Sequence, residues 1–272
     1  MLLRNWAAVA LVGLVLCRQS CPAESGPASW NASQTQHFDL FHEAKKLPTN
    51  AVLGMEKIHS RLRLQMDILA PWIKKTKIRL YVYENQQAYV RGEFHPPSWS
   101  KGVSFYSSKT VVLYQTASMD DFFETAAHEL THLLAVSFFQ EKNREPPLWL
   151  EEGLATLMEE MACPDSQRRH WAAGAISKTS WRPEPLAEFF IRPPPEKESS
   201  RQDANSWYLQ SYSLTKYLFV AFGKLRFKVF CDNLRAGASL EKSLWKTYRM
   251  RSIEDLEEKW LGWLKNQRRA VR

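Results

Sequence analysis

The sequence has few cysteines and few glycines, and it contains no long hydrophobic run beyond its first residues. Four cysteines in 272 residues are too few for a disulfide-rich scaffold, and ten glycines with 14 prolines exclude a collagen-like or low-complexity chain. After residue 23, no segment is apolar for the roughly 20 residues that a membrane-spanning helix needs. The 11 tryptophans and 14 phenylalanines instead indicate a folded chain with a large hydrophobic core.

The N-terminus has the pattern of a secretory signal peptide. Arg4 precedes an apolar run of twelve residues from Trp6 to Cys17, and a short polar stretch then ends at Ala23. We therefore predict a signal peptide over residues 1–23 and a secreted protein, periplasmic or extracellular. An uncleaved anchor and a lipid anchor are the less favoured alternatives. Twelve apolar residues are too few to cross a bilayer, which disfavours an uncleaved anchor. Because no later segment is apolar for long enough either, we expect no stable membrane span after cleavage.

The charge balance is basic. Lysine and arginine outnumber aspartate and glutamate by 37 to 29, and removal of residues 1–23 lowers the formal net charge from +8 to +6. The C-terminal segment from Lys265 to Arg272 is a basic tail, but no nucleic-acid-binding motif accompanies it. We therefore predict no nucleic-acid partner, and we expect a monomer.

Cleavage of the signal peptide would leave two cysteines, Cys163 and Cys231. In an oxidising compartment the two thiols could form a disulfide, but sequence does not show that they meet. Two separate buried thiols are the alternative.

The hydrophobic pattern divides the mature chain into a polar tether and two lobes. Residues 24–36 are polar and predict a flexible tether, residues 37–162 predict an α/β lobe, and residues 163–272 predict a helical lobe. Alternating β-branched and aromatic residues predict strands at 37–42, 78–83, 103–106 and 110–114. Apolar residues at helical spacing predict helices near 52–69, 86–91, 120–139, 148–162, 186–190, 204–222, 224–235, 238–247 and 253–268.

The helix predicted near 120–139 contains the segment HELTH. His128 and His132 are four residues apart, so their imidazoles lie on the same face of the helix and can converge on one ion. Glu129 lies one step round the helix from His128, where it can hold a water molecule rather than act as a ligand. Nitrogen ligands in this arrangement are typical of a site for one zinc ion.

A catalytic zinc site needs a third protein ligand and an open fourth position. The segment WLEEGLA starts the next predicted helix after Pro146 and Pro147, and it supplies two carboxylates. We predict that Glu152, 20 positions after His132, is the ligand. Glu151 would then point outward or support a ligand without touching the metal.

HELTH followed by WLEEGLA resembles the gluzincin metallopeptidases, the thermolysin and aminopeptidase N-like superfamily, and most of all the peptidase MA-like proteins. The resemblance extends over roughly residues 37–265. It implies a zincin-like α+β fold, in which a small mixed sheet and the HExxH helix are followed by an all-helical C-terminal lobe that completes the active-site cleft. It also implies that His128, His132 and Glu152 bind zinc and that Glu129 is the catalytic carboxylate.

The resemblance continues at Tyr208, which opens a segment similar to one in aminopeptidase N-like enzymes. In those enzymes a tyrosine donates a hydrogen bond to the developing oxyanion. Tyr208 fits this position best, and Tyr212, one helical turn later, is the alternative. Glu151 stands where this superfamily often has asparagine, and the chain has no counterpart of the Gly-Ala-Met-Glu-Asn exopeptidase motif. The choice between endopeptidase and exopeptidase therefore stays open.

These features predict a secreted zinc metallopeptidase whose partner is a peptide or protein substrate. Glu129 would activate a zinc-bound water for attack on the peptide carbonyl. One of the two strands before the HExxH helix, 103–106 or 110–114, would offer its edge to the extended substrate. The alternatives are a catalytically weak or inactive peptidase-fold protein that serves as a zinc-containing binding or scaffold module, and an enzyme that hydrolyses a non-peptide amide.

Overall fold

The computed structural model describes residues 30–44, 47–164, 174–176, 181–195 and 199–270. The predicted signal peptide and residues 24–29 of the predicted tether lie outside these ranges, so both stay predictions. The described part is a small mixed sheet followed by a mainly helical region, which confirms the predicted α+β, zincin-like fold.

Five strands form one sheet. They are β1 (Asn31–Gln34), β2 (Phe38–His42), β3 (Ile78–Tyr83), β4 (Gly102–Phe105) and β5 (Thr110–Tyr114), and they lie in the order β1-β2-β3-β5-β4. The inner pairs β2–β3 and β3–β5 are parallel, whereas β1 and β4 run antiparallel to their neighbours. β4 therefore ends the sheet on one side, and β5 lies inside it.

The first strand corrects the predicted tether. Residues 31–34 were expected to be part of a flexible segment because they are polar, but they pair with β2 at the edge of the sheet. All four β1 side chains are exposed, so the strand has no hydrophobic pattern to reveal it. Backbone hydrogen bonds to β2 hold the segment in place, and the side-chain amide of Asn31 donates to the carbonyl of His42 at 3.2 Å.

Nine helices of the described ranges have these bounds: α1 (Thr49–Met66), α2 (Gln86–Arg91), α3 (Met119–Gln140), α4 (Leu148–Ala162), α5 (Leu186–Ile191), α6 (Arg201–Lys216), α7 (Lys224–Arg235), α8 (Leu240–Tyr248) and α9 (Ile253–Ala270). A short 3₁₀ helix spans Pro71–Lys74. One predicted helix, 204–222, is wrong over its last six residues, because α6 ends at Lys216 and a π-helix follows over Tyr217–Ala221. Apolar periodicity does not distinguish these two hydrogen-bond patterns.

The two faces of the sheet have different partners. Phe38, Ile78, Leu80, Val111 and Leu113 belong to the main hydrophobic core, to which α1 and α3 also contribute. The alternate residues of the same strands form a smaller, largely aromatic cluster on the other face that includes Tyr81, Tyr83 and Val112. This period-2 alternation is the pattern that predicted β3 and β5 at their observed bounds.

The main core continues from the sheet into the helical region. Its buried members come from both sides of the predicted lobe boundary at 162 and 163, for example Leu130 and Leu157 on one side and Leu214, Phe227 and Trp260 on the other. The boundary itself stays a prediction. Cys163 and Cys231 are both free thiols. Cys231 is buried as the second alternative predicted, whereas Cys163 is only partly buried. Within the ranges described above, no helix is both long and apolar enough to cross a membrane.

Candidate metal centre

The HELTH segment lies in the middle of α3, which is the helix that separates the sheet from α4. Ser118 caps its N-terminus by accepting a hydrogen bond from the Asp120 amide, and Asp120 and Asp121 lie in its first turn. His128, Glu129 and His132 are all buried. The Nε2 atoms of the two histidines lie 2.9 Å apart, so the predicted convergence of His128 and His132 is present.

Helix α4 brings the third group to this point. It starts directly after Pro147, whose fixed φ suits a helix start. The Oε2 atom of Glu152 lies 3.6 Å from Nε2 of His128 and 3.8 Å from Nε2 of His132. Within the described part of the chain, His128, His132 and Glu152 are the one group whose ligand atoms lie close enough together to hold a metal, all within 4.8 Å of one another.

Two further carboxylates of α4 hold the outer sides of the imidazoles. Glu151 Oε1 lies 2.7 Å from Nδ1 of His132, and Glu159 Oε1 makes a short hydrogen bond to Nδ1 of His128. Of the two alternatives for Glu151, the outward orientation is wrong, because its side chain is buried against His132. Glu159 was not predicted, although it follows Glu152 by seven residues and a spacing of two helical turns places it on the same face.

These contacts decide which imidazole nitrogen faces the centre of the site. A carboxylate only accepts hydrogen bonds, so Nδ1–H of each histidine donates to its glutamate and both Nε2 atoms point inward. Burial lowers the pKa of His132, but Glu152, Glu151 and Glu129 outweigh this and raise that pKa to about 10. The three carboxylates around His132 therefore favour a positive charge next to its Nε2 atom.

The donor set fits a zinc ion. Two inward imidazole nitrogens and one carboxylate oxygen are the ligands of a catalytic zinc site, and they leave a fourth position for water or substrate. Carboxylates on the far nitrogens are the usual outer support of metal-binding histidines. His128, His132 and Glu152 would hold the ion, and a metal would supply the positive charge that this buried cluster attracts.

Glu129 is buried beside the cluster but is not part of it. Burial raises the pKa of its carboxyl, His132 opposes the shift, and Glu151 and Glu159 add to it, so that the pKa is about 7. The side chain packs against the first residue of β4, where a Cβ atom on Gly102 would lie 2.7 Å from Cγ of Glu129. Glu129 therefore lies between the His128, His132 and Glu152 group and the edge strand of the sheet.

The two candidate tyrosines on α6 differ in their surroundings. The hydroxyl of Tyr212 donates to Glu160 Oε2 at 2.6 Å and accepts from Lys216 Nζ at 2.8 Å. Tyr208 is buried one turn earlier, with its ring edge-on to Trp207 at 5.2 Å. The Tyr212 hydroxyl is thus held by a charged pair, which disfavours it as an oxyanion donor.

A glycine allows α6 to pack closely against α4. A Cβ atom on Gly153 would lie 2.3 Å from the carbonyl oxygen of Ser211 and 2.3 Å from Oγ1 of Thr215. Gly153 directly follows Glu152, and Ser211 lies one turn after Tyr208. The close approach therefore brings the helix that carries Tyr208 against the start of the helix that carries Glu152.

The small mixed sheet, the histidine pair on α3 and the glutamate on the following α4 define a zincin-like fold with a candidate His-His-Glu metal site. The chain belongs to the peptidase MA superfamily, whose family model matches residues 62–266. The matched range includes every residue of the cluster and confirms the gluzincin resemblance. No curated protein matches the chain.

Proposed function

We propose that this protein is a secreted zinc metallopeptidase that hydrolyses peptide bonds. The observation that carries the proposal is the convergence of His128, His132 and Glu152 within 4.8 Å, with Glu129 buried alongside. Membership of the peptidase MA superfamily supports a peptide or protein substrate. Secretion rests on the N-terminal sequence pattern alone.

Glu129 is the general base of the proposed reaction. It is adjacent in sequence to a ligand, and its buried position raises its pKa toward neutrality, which suits a group that takes up and returns a proton at physiological pH. A zinc ion at the site would lower the pKa of a coordinated water to about 7 and polarise the scissile carbonyl. Glu129 takes the proton of the attacking water and passes it to the leaving amine.

Tyr208 is the proposed donor to the oxyanion, because it matches the superfamily position and because the hydroxyl of Tyr212 already donates to Glu160. Tyr208→Phe should lower kcat about 10²-fold, the usual loss when one oxyanion donor is removed. Tyr212→Phe should leave kcat within about twofold and lower stability by about 1–3 kcal/mol, because its hydroxyl loses the hydrogen bonds with Glu160 and Lys216.

The substrate is proposed to lie along β4. This strand pairs only with β5 among the described strands, so its outer edge can accept an extended peptide, whereas β5 is enclosed between β3 and β4. Gly102 of β4 contacts Glu129, so a peptide on that edge would run past the general base. Of the two strands predicted to bind the substrate, these observations favour β4 over β5.

The decisive experiment compares the zinc-loaded mature chain with its Glu129→Gln variant. The unmodified chain should cleave fluorescein-labelled casein and lose this activity with a chelator. Glu129→Gln should lose about 10²–10⁴-fold in kcat while keeping one zinc ion by elemental analysis. Glu141→Gln is the matched control, because Glu141 caps the same helix and contacts Arg235 instead.

The outcomes separate the rival functions. Full casein cleavage by Glu129→Gln would refute the proposed mechanism. Bound zinc without cleavage of casein or of a peptide library by the unmodified chain would favour the binding or scaffold module. Cleavage of small amide substrates alone would favour the non-peptide amidase.

A further inference from the structure

Gly102 is the first residue of β4, and it leaves no room for a side chain. A Cβ atom at this position would lie 2.6 Å from Cδ2 of Leu113, 2.7 Å from Cγ of Glu129 and 3.2 Å from Cδ of Glu129. Gly102 is paired with Leu113 across the β4–β5 ladder. The direction in which its Cβ would point is therefore the inner face of the sheet, toward α3.

The backbone conformation at residue 102 does not require a glycine. Within the described ranges the glycines with positive φ are Gly223 and Gly237, which are the positions where a left-handed backbone requires glycine. Gly102 has an ordinary strand conformation that any residue could adopt. What an added methyl group would lack at this position is space.

The missing space is occupied by the side chains of Leu113 and Glu129. The Glu129 side chain is buried, and its Cγ and Cδ atoms fill the position where a side chain on residue 102 would begin. An interior of this density does not accept a methyl group at 2.7 Å without moving one of the two partners. The Cγ atom is in the middle of the Glu129 side chain, so its displacement also moves the carboxylate.

We propose that Gly102 is a positioning residue that fixes the carboxylate of Glu129 relative to the His128, His132 and Glu152 centre. The inference rests on the proposed function of Glu129 as general base. Strand β4 would then have two roles. Its outer edge would bind the proposed substrate, and Gly102, its first residue, would fix the position of the general base Glu129 on the inner face of the sheet.

The test is the substitution Gly102→Ala. A displacement of about 1 Å at a reacting group costs up to 10²-fold in rate. We expect kcat on labelled casein to fall about 10- to 100-fold, with KM within twofold and one zinc ion still bound. A loss of zinc, or an increase in KM with kcat unchanged, would overturn the proposal.

A second variant separates Glu129 from the other neighbour. In Gly102→Ala/Leu113→Val the strand partner is shortened, which relieves the contact with Cδ2 of Leu113 and leaves the contact with Glu129. The contact with Leu113 should lower the melting temperature of Gly102→Ala. In the double variant we expect the melting temperature to return toward that of the unmodified chain, while kcat stays low. Recovery of kcat together with the melting temperature would show that Gly102 serves only to accommodate Leu113.

Gly92→Ala is the matched control. Gly92 also has an ordinary backbone, and an added Cβ atom would lie 2.1 Å from the hydroxyl of Tyr83, away from Glu129. This variant should lose stability in the same way but keep kcat. An equal loss of kcat in Gly92→Ala would show that general destabilisation explains the effect, and would overturn the proposal.

One measurement does not depend on turnover. Crystal structures of the zinc-loaded chain and of its Gly102→Ala variant should show Cδ of Glu129 displaced by about 1 Å or more. An unmoved Glu129 would overturn the positioning role. Failure of the proposed function has a different signature, namely that the unmodified, zinc-loaded chain cleaves no casein.

Discussion

Glu151 Oε1 lies 2.7 Å from Nδ1 of His132, on the side of the imidazole opposite the candidate metal site. Glu159, two turns further along the same helix, has the same relationship to His128. One helix therefore supplies both the third candidate ligand and the two carboxylates that hydrogen-bond the candidate histidine ligands. This explains why three glutamates of α4 are buried together.

The first prediction concerns zinc affinity. Glu159→Gln and Glu151→Gln should each weaken zinc binding by about 10- to 100-fold, because a neutral amide no longer holds the imidazole orientation or raises its basicity. The measurement is competition against a chromophoric chelator. Glu160→Gln is the control, because that neighbouring carboxylate binds Lys216 instead. Equal affinities in all three variants would contradict the assigned role.

The second prediction concerns metal removal. Three glutamates of α4 and Glu129 are buried around two histidines, so an ion bound to the folded chain should stabilise it. Zinc at about 1,000 times its dissociation constant should add about 4 kcal/mol to the free energy of unfolding. Melting curves with zinc and with chelator test this. In His132→Ala, the two curves should coincide, and a persisting zinc-dependent shift would place the metal elsewhere.

The third prediction concerns the contact between α4 and α6. Gly153→Ala should lower the free energy of unfolding by about 1–3 kcal/mol, because the added methyl group meets the Ser211 carbonyl, which is part of the backbone. Gly262→Ala is the matched control in another helix, since a Cβ atom added there would have no neighbouring atom within 4 Å. That control should gain about 0.5–1 kcal/mol. Denaturant unfolding measures both, and two similar values would contradict the close approach.

The fourth prediction concerns pH and His59. This buried ring stacks on His37 at 3.8 Å, and its Nε2–H donates to the carbonyl of Ile73 at 3.2 Å. Burial lowers the pKa of His59 from 6.5 to about 4, with the nearby charge of His37 adding to the shift. Because the folded pKa is the lower one, the unfolded chain binds more protons between these values. The stabilising contribution is complete above about pH 6.5 and is lost as the pH falls toward 4.

For His59 alone, this loss amounts to about 2 kcal/mol between pH 7 and pH 5. His59→Gln should therefore show a shallower decrease in the free energy of unfolding over this range, by about that amount. Urea unfolding at several pH values measures the difference. Parallel pH dependences in the two proteins would show that His59 is not held neutral in the folded state.

Neighbouring residues in the sequence predicted much of the local structure and the three candidate ligands of the site. Strands β3 and β5 and helices α2 and α4 lie at the predicted residues, because alternation of period two and apolar spacing of period 3.6 depend only on neighbouring residues. The spacing of four residues in HELTH places His128 and His132 on one helical face for the same reason. The choice of Glu152 over Glu151 followed from the motif.

Features that depend on contacts between distant segments could not be predicted from the sequence. β1 is held by pairing with β2 and has no hydrophobic pattern of its own, so its polar residues resembled a tether. The orientation of Glu151, the inclusion of Glu159 and the engagement of Tyr212 by Glu160 each depend on how α4 packs against α3 and α6. Gly102 has no side-chain functional group, and its contact with Glu129 forms only because β4 packs against α3.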